Sequence, residues 1–308
     1  MDTPPANLII EDLSSAWTVD YTLDGQHIQP LYQLRCGDQL HNLSDYLGWQ
    51  IELIWQGAQA CRHCAVATQR HFGGGYCYEC FTTLARCDLC ILSPDRCHLH
   101  AGTCREPDWA AQFCMQPHVV YLAATSDVKV GISRAERVWR RWIDQGAHQG
   151  LLLARTPSRR TAGMLEAFCA QVTQDRTDWR RLVRGEKTRI VLADLRQQLT
   201  RRLADFTALN SAGFTAQPDD AELQQIEWDD AAVQYQLRHP IEQFSPAQKL
   251  VCQQDNPVVT DVLRGVLGHF LLCDSGVIDL QAHSTAMVEC RLSMVQHAQP
   301  QTPQGSLF

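Results

Sequence analysis

Apolar residues in the first sixty positions follow no helical stripe. Leu31-Tyr32-Gln33-Leu34 and the stretch 49–55 alternate or run apolar between turn residues, a pattern that predicts strands. The second of these feeds through Gln56-Gly57 into a segment dense in cysteine. From His118 the pattern changes. Residues 119–123 predict a strand, Thr125-Ser126-Asp127 a turn, and residues 128–132 the returning strand of a hairpin. Ser133 predicts the N-cap of a helix ending near Gly146. Val138, Trp139, Trp142 and Ile143 fall on one side of it, and Arg134, Arg137 and Arg141 line the other.

A short strand at 151–154 precedes a helix with Ala162, Leu165, Phe168, Cys169 and Val172 as its apolar face and Glu166 beside that face. Leu192, Leu195, Leu199 and Leu203 stitch a longer helix near 189–206. Residues 207–230 are polar and acidic, as a connecting loop would be. Beyond them, 233–237 alternates as a strand, and 268–272 and 277–280 flank Asp274-Ser275-Gly276 as a hairpin. The final stretch, 296–308, is rich in Gln and Pro and is expected to be disordered. The expected class is α+β: a β-rich segment (1–60), a cysteine module (61–117), a β-β-α-β-α unit (118–206), a second β-rich segment (207–292) and a tail (293–308).

Composition sharpens this picture in two places. Nine of the 14 cysteines lie between Cys61 and Cys114, and such clustering points to metal rather than to disulfides in a reducing compartment. The other five are read as small buried hydrophobes. No run approaches the roughly 18 apolar residues of a membrane span. Met1-Asp2-Thr3-Pro4-Pro5 lacks the basic and apolar parts of a secretory signal, so a cytoplasmic location is expected. The net charge of −7 hides an asymmetry: residues 120–205 hold 17 Lys+Arg against nine Asp+Glu. That segment is either an electrostatic footprint for a polyanion or a set of solvated helix faces pairing with the acidic remainder.

Within the cysteine module, Cys61-Arg62-His63-Cys64 and Cys77-Tyr78-Glu79-Cys80 are two C-x2-C pairs separated by twelve residues. Two residues between thiolates let one tight turn aim both sulfurs at one ion, and two turns complete the tetrahedron that zinc accepts. Four thiolates close the coordination shell, so the ion is structural; an iron–sulfur cluster is the alternative. A second zinc site is expected from Cys87, Cys90, Cys97 and Cys104, with His98, His100 or Cys114 able to replace either of the last two.

Residues 120–122, Lys129-Val130-Gly131, the basic helix, the strand after it and the helix bearing Glu166 resemble the GIY-YIG nuclease superfamily in order and in residue type. More closely, 61–179 resembles an uncharacterised bacterial family that joins zinc-binding cysteine pairs to such a unit. Gly102-Thr103-Cys104-Arg105-Glu106-Pro107, Arg141-Trp142-Ile143-Asp144-Gln145-Gly146-Ala147 and Asp175-Arg176-Thr177-Asp178-Trp179-Arg180 carry that likeness. The resemblance implies a metal-dependent endonuclease acting on DNA, or on RNA, in repair, replication or recombination. It implies that Tyr121 activates or orients the nucleophile, that Arg141 or else Arg137 stabilises charge on the phosphate, and that Glu166 holds one Mg²⁺ or Mn²⁺. Lys129, Gly131, Arg134, Arg140 and Arg180 would contact the nucleic acid. Lys129 stands where the superfamily has its second tyrosine, a departure that favours phosphate binding over proton transfer. The alternatives are a non-catalytic zinc-stabilised nucleic-acid-binding protein and a protein-interaction adaptor. The last residues, Gln304-Gly305-Ser306-Leu307-Phe308, resemble the peptide by which DNA-processing proteins dock on the replication sliding clamp, which would make Gln304, Leu307 and Phe308 the contacts.

Overall fold

A computed structural model describes residues 5, 7–171, 173, 178–209 and 225–295, with backbone alone for 203–209. Strand β1 (Asn7–Ile10) and one helical turn, α1 (Leu13–Ala16), lead into the hairpin of β2 (Trp17–Asp24) and β3 (His27–Cys36). β4 (Gln39–Asn42) folds back on β3, and β5 (Gln50–Ala58) enters the cysteine module. That module carries the short helices α2 (Tyr78–Thr83) and α3 (Pro107–Phe113). The middle of the chain runs β6 (His118–Ala124), β7 (Val128–Arg134), α4 (Val138–Asp144), β8 (Gln149–Thr156), α5 (Arg159–Ala170), α6 (Trp179–Val183) and α7 (Leu192–Leu209). The C-terminal part adds β9 (Glu227–Trp228), β10 (Gln234–Leu237), β11 (Lys249–Leu250), β12 (Val258–Leu267), β13 (Phe270–Cys273), β14 (Val277–Asp279) and β15 (Ala286–Ser293).

These strands form two sheets. One has the order β1-β15-β5-β12-β13-β14-β11, and the other the order β2-β3-β10-β8-β6-β7, with β4 and β9 added beside β3 and β8. The class is therefore mixed α+β, as the pattern predicts. Residues 1–60 supply strands to both sheets, and the C-terminal part does the same. The principal core lies between the sheets, where Ile28, Tyr32 and Leu34 meet Ile51, Leu53, Leu263 and Cys290 around Trp142. α5 and α7 cover the other face of the second sheet through Leu165, Cys169, Leu192 and Leu199. β6 lies between β8 and β7, and all seven of its residues are buried, which is why it reads as a continuous apolar run.

A polar network ties the sheets together. The Tyr32 hydroxyl lies 2.7 Å from His239 Nδ1 and accepts the Gly268 N–H at 2.9 Å, while His239 Nε2 donates to the Ala147 carbonyl at 2.8 Å. Every member has a partner, as low-dielectric burial demands.

Two expectations shift. Ser133 does not cap a helix: β7 continues to Arg134 because its partner β6 starts early, at His118, and the ladder pairs the two. The helix then begins with a 3-10 turn, Ala135–Arg137, and ends at Asp144, as expected near Gly146, whose φ is +67°. The long helix runs to Leu209, inside the stretch read as a connector. Residues 210–224, and the tail from 296, lie outside the described residues. Among those described, no helix is long and apolar enough to cross a membrane.

Candidate functional site

The first cysteine set is assembled by backbone turns. The Cys61 N–H donates to Val66 O and the Ala65 N–H to Cys61 O, with Ala65 at φ +57° closing the first knuckle. The Arg62 N–H donates to Gly75 O, which lays the second knuckle beside the first. Gly75 is required there: a Cβ would sit 2.6 Å from Arg62 Cδ. The sulfurs of Cys61, Cys64, Cys77 and Cys80 all lie within 4.8 Å of one another. A Zn–S bond of about 2.3 Å implies a tetrahedral edge of about 3.8 Å. Cys64 Sγ and Cys77 Sγ are 3.8 Å apart. The donor set thus fits a structural zinc ion. Burial pushes the Cys61 thiol up, but N–H groups from Cys64, Cys77 and His63 outweigh it and bring the group to about 6. Such dipoles stabilise the thiolate that a metal needs.

In the second set, the compact cluster among the described residues is Asp88, Cys90 and His98. Cys97, Cys104 and Cys114 lie within electrostatic range of Cys90. Cys87 packs instead with Cys61, Cys80 and Leu84. Cys114, buried, is likewise in electrostatic range of Cys97 and Cys104. Asp88 escaped the sequence reading because a lone aspartate between two cysteines carries no ligand signal. It is already engaged, at 2.9 Å from Arg105 Nε and 3.4 Å from His98 Nε2. This part of the module is clamped to α5. Arg159 donates to the carbonyls of Cys90 and Ile91 at 3.0 and 2.7 Å, and Gly163 lies so close to Pro94 that a Cβ would meet it at 2.4 Å.

One turn beyond Gly163 stands Glu166, which is half-buried. Tyr121, on β6, is fully buried and lies edge-on to Trp142 with ring centroids 5.9 Å apart. Its hydroxyl accepts a hydrogen bond from Gln145 Nε2 at 3.0 Å and interacts with the Arg141 guanidinium. Burial raises the Tyr121 phenol above its ordinary range, Arg141 and Gln145 lower it in part, and the Glu166 carboxylate raises it again. The residue facing Tyr121 across the ladder is Gly131, where a Cβ would lie 2.6 Å from the phenolic oxygen. The β6–β8 register shifts between Val120 and Tyr121, a bulge that turns the strand locally at this residue.

Arg141 is exposed and lines a cavity of about 570 Å³ with Arg62 of the first knuckle, Gly73 and Gly74 before the second, and Asp144, His269 and His283. The structure thus brings Tyr121, Gly131 and Arg141 together, with Glu166 in electrostatic range of the phenol. Lys129 is half-buried on the same face of β7, two residues from Gly131. The remaining arginines divide. Arg137 and Arg180 are exposed, the latter over the Trp179 ring. Arg134 pairs with Glu136 at 3.2 Å and covers the Phe113 ring. Arg140 pairs with Asp144 at 2.8 Å and donates to Val19 O, so it pins α4 to β2. Gln145 was not legible as a site residue, since a glutamine at a helix end has no distinctive pattern. Gln304, Leu307 and Phe308 lie outside the described residues.

Fold and cysteines together define a mixed α+β protein built around a four-cysteine knuckle fit for zinc. The chain belongs to the family described as "Protein of unknown function (DUF2797)", whose profile matches residues 48–288. No curated protein and no solved structure matches.

Proposed function

We propose that this protein is a metal-dependent nuclease of the GIY-YIG type acting on DNA, in repair, replication or recombination. The observation that carries the reading is the meeting of Tyr121 and Gln145 with Arg141, which lines an open cavity, with Glu166 close enough to perturb the phenol. A buried phenol whose proton is held more tightly than usual is a poor base at neutral pH. Its role is then to orient: Gln145 and Arg141 donate to its oxygen, and that contact holds the Arg141 guanidinium at the cavity. Arg141, exposed to the cavity, neutralises charge developing on the phosphate. Glu166 is the carboxylate that would hold Mg²⁺ or Mn²⁺, an ion that keeps several waters and needs few protein ligands. Bound there, it would act as a Lewis acid toward the scissile phosphate. Arg62 of the first knuckle and Gly73-Gly74 before the second form a wall of the cavity and so link the zinc scaffold to the chemistry.

Wild type and Glu166→Ala, incubated with single-stranded, duplex and branched DNA and RNA in Mg²⁺ or in EDTA, test this. Cleavage that needs Mg²⁺ and vanishes in the variant is the expected result. No cleavage of any substrate overturns the enzyme reading. Lys129, standing in the position of a tyrosine, favours the second reading in that event: a protein that grips nucleic acid without cutting it. The sliding clamp is proposed as a partner of the tail. Deleting residues 304–308 should abolish capture by immobilised clamp, and undiminished capture removes that partner.

A further inference from the structure

A groove of about 680 Å³ opens away from the Tyr121 centre, between the start of α7 and the exposed part of the second sheet. Its floor is a polar row across three strands. His27 on β3 pairs with Gln236 on β10, and Gln236 pairs with Gln149 on β8. Gln234 projects from β10 on the same face, two residues away. Sheet interiors are ordinarily apolar, and the same face is apolar a strand further on, where Leu122 and Leu151 pair beneath α5 and α7.

The rim is basic. Lys187 and Arg189 approach from the segment before α7, and Arg238 follows β10; all three are exposed. No aspartate or glutamate lines the groove. Among the described residues, neither Lys187, Arg189 nor Arg238 makes an ion pair, although the chain as a whole is acidic. Their neighbours Arg181 and Arg184 behave differently, since both are spent on Glu186. Ile190 and Val191 add an apolar lip, at 47% and 54% exposure. Three unpaired cations around a floor of amides form a site for a phosphate chain bearing hydrogen-bonding groups.

We propose that this groove is a second nucleic-acid contact, holding a single strand by its phosphates on Lys187, Arg189 and Arg238 while the Gln149, Gln234 and Gln236 amides face the bases. The inference deepens the nuclease reading and rests on it for the identity of the polymer. A strand held here is a strand beyond the reacting phosphate, so the groove sets which structures are bound rather than how they are cut. No Phe, Tyr or Trp lines the groove to stack a base, so the grip rests on the phosphate contacts and depends on salt.

The test is binding of a fluorescent single-stranded oligonucleotide to the full chain in EDTA, by anisotropy across a salt series. The triple variant Lys187→Glu, Arg189→Glu, Arg238→Glu should bind at least about tenfold more weakly. Its plot of log affinity against log salt should be shallower by about two, since each single-strand phosphate contact contributes about 0.7 to the slope. These side chains are exposed and unpaired, so the thermal midpoint should stay with wild type, which separates lost contacts from lost folding. Gln149→Ala, Gln234→Ala and Gln236→Ala together should weaken binding without changing the slope. Binding of the triple charge variant within twofold of wild type overturns the proposal, as does a wild type that binds duplex but no single strand. Failure of the nuclease reading looks different: no cleavage of any substrate, with oligonucleotide binding still lost on charge reversal.

Discussion

Gly131 and Gly150 have no side chain, and an aromatic pair, Tyr121 on β6 and Trp142 on α4, occupies the space they leave. A Cβ on Gly131 would lie 2.6 Å from the Tyr121 oxygen, and one on Gly150 would lie 2.4 Å from the Trp142 ring. Gly131→Ala should therefore destabilise by about 1–3 kcal/mol through overpacking, read as a lowered midpoint of denaturant unfolding. An unchanged midpoint would mean that the ring has somewhere else to go. Tyr121→Phe keeps the ring and removes only the oxygen that Gln145 and Arg141 share. It should leave the fold intact at a cost of about 1–2 kcal/mol; under the nuclease proposal it should also slow cleavage by about a hundredfold or more, measured as kcat. Tyr121 was legible from its place in a strand; its buried phenol and its partner Gln145 were not, because both depend on where α4 comes to rest.

Between elements, the knuckles and the His239 network make separate demands. Protein purified without added metal should carry at least one zinc per chain. Cys61→Ser should lose it, and hydrogen exchange should then show residues 58–84 opening before the sheets do. His239 is half-buried, and desolvation pushes its imidazole down to about 4, with His148 and Lys187 adding to the effect. In the unfolded chain it titrates near 6.5. Between those values the unfolded chain binds the extra proton, so stability is full above about 6.5 and falls as pH drops toward 4. The loss attributable to His239 is of the order of 3 kcal/mol. His239→Gln should flatten the unfolding free energy over that interval, and an equally steep profile in the variant would assign the effect to other groups. The cysteine pairs were fully legible at this scale because a knuckle is a local object, made by residues within twenty positions of one another. Asp88 was not, since its place beside Cys90 and His98 depends on how the module folds against α5.

For the whole molecule, the decisive fact is that both ends of the chain enter both sheets. β1 pairs with β15, and β3 pairs in parallel with β10 some two hundred residues on. The family profile begins at residue 48, after β4. A chain cut to 48–288 would nevertheless lose Ile28, Tyr32 and Leu34 from the shared core and leave β10 with an open edge. It should aggregate or unfold without a cooperative transition in a thermal scan. A soluble, cooperatively melting fragment would show that residues 1–47 are an addition rather than a part of the fold.

What the sequence determined by itself is what short range can encode: the alternation of the strands, the two thiolate pairs, and the β-β-α-β-α order from 118 onward. Periodicity and spacing act within a few residues, so they survive any arrangement of the rest. What only the tertiary structure decided is the company each element keeps. The first sixty residues read as one β-rich segment yet divide between two sheets. Arg140 and Arg141 are adjacent in a basic run, but one pins α4 to β2 while the other faces the cavity. Lys187, Arg189 and Arg238 become a single rim because β10 inserts beside β8. Such contacts join residues tens to hundreds of positions apart, and their energies come from burial and pairing that no local pattern records.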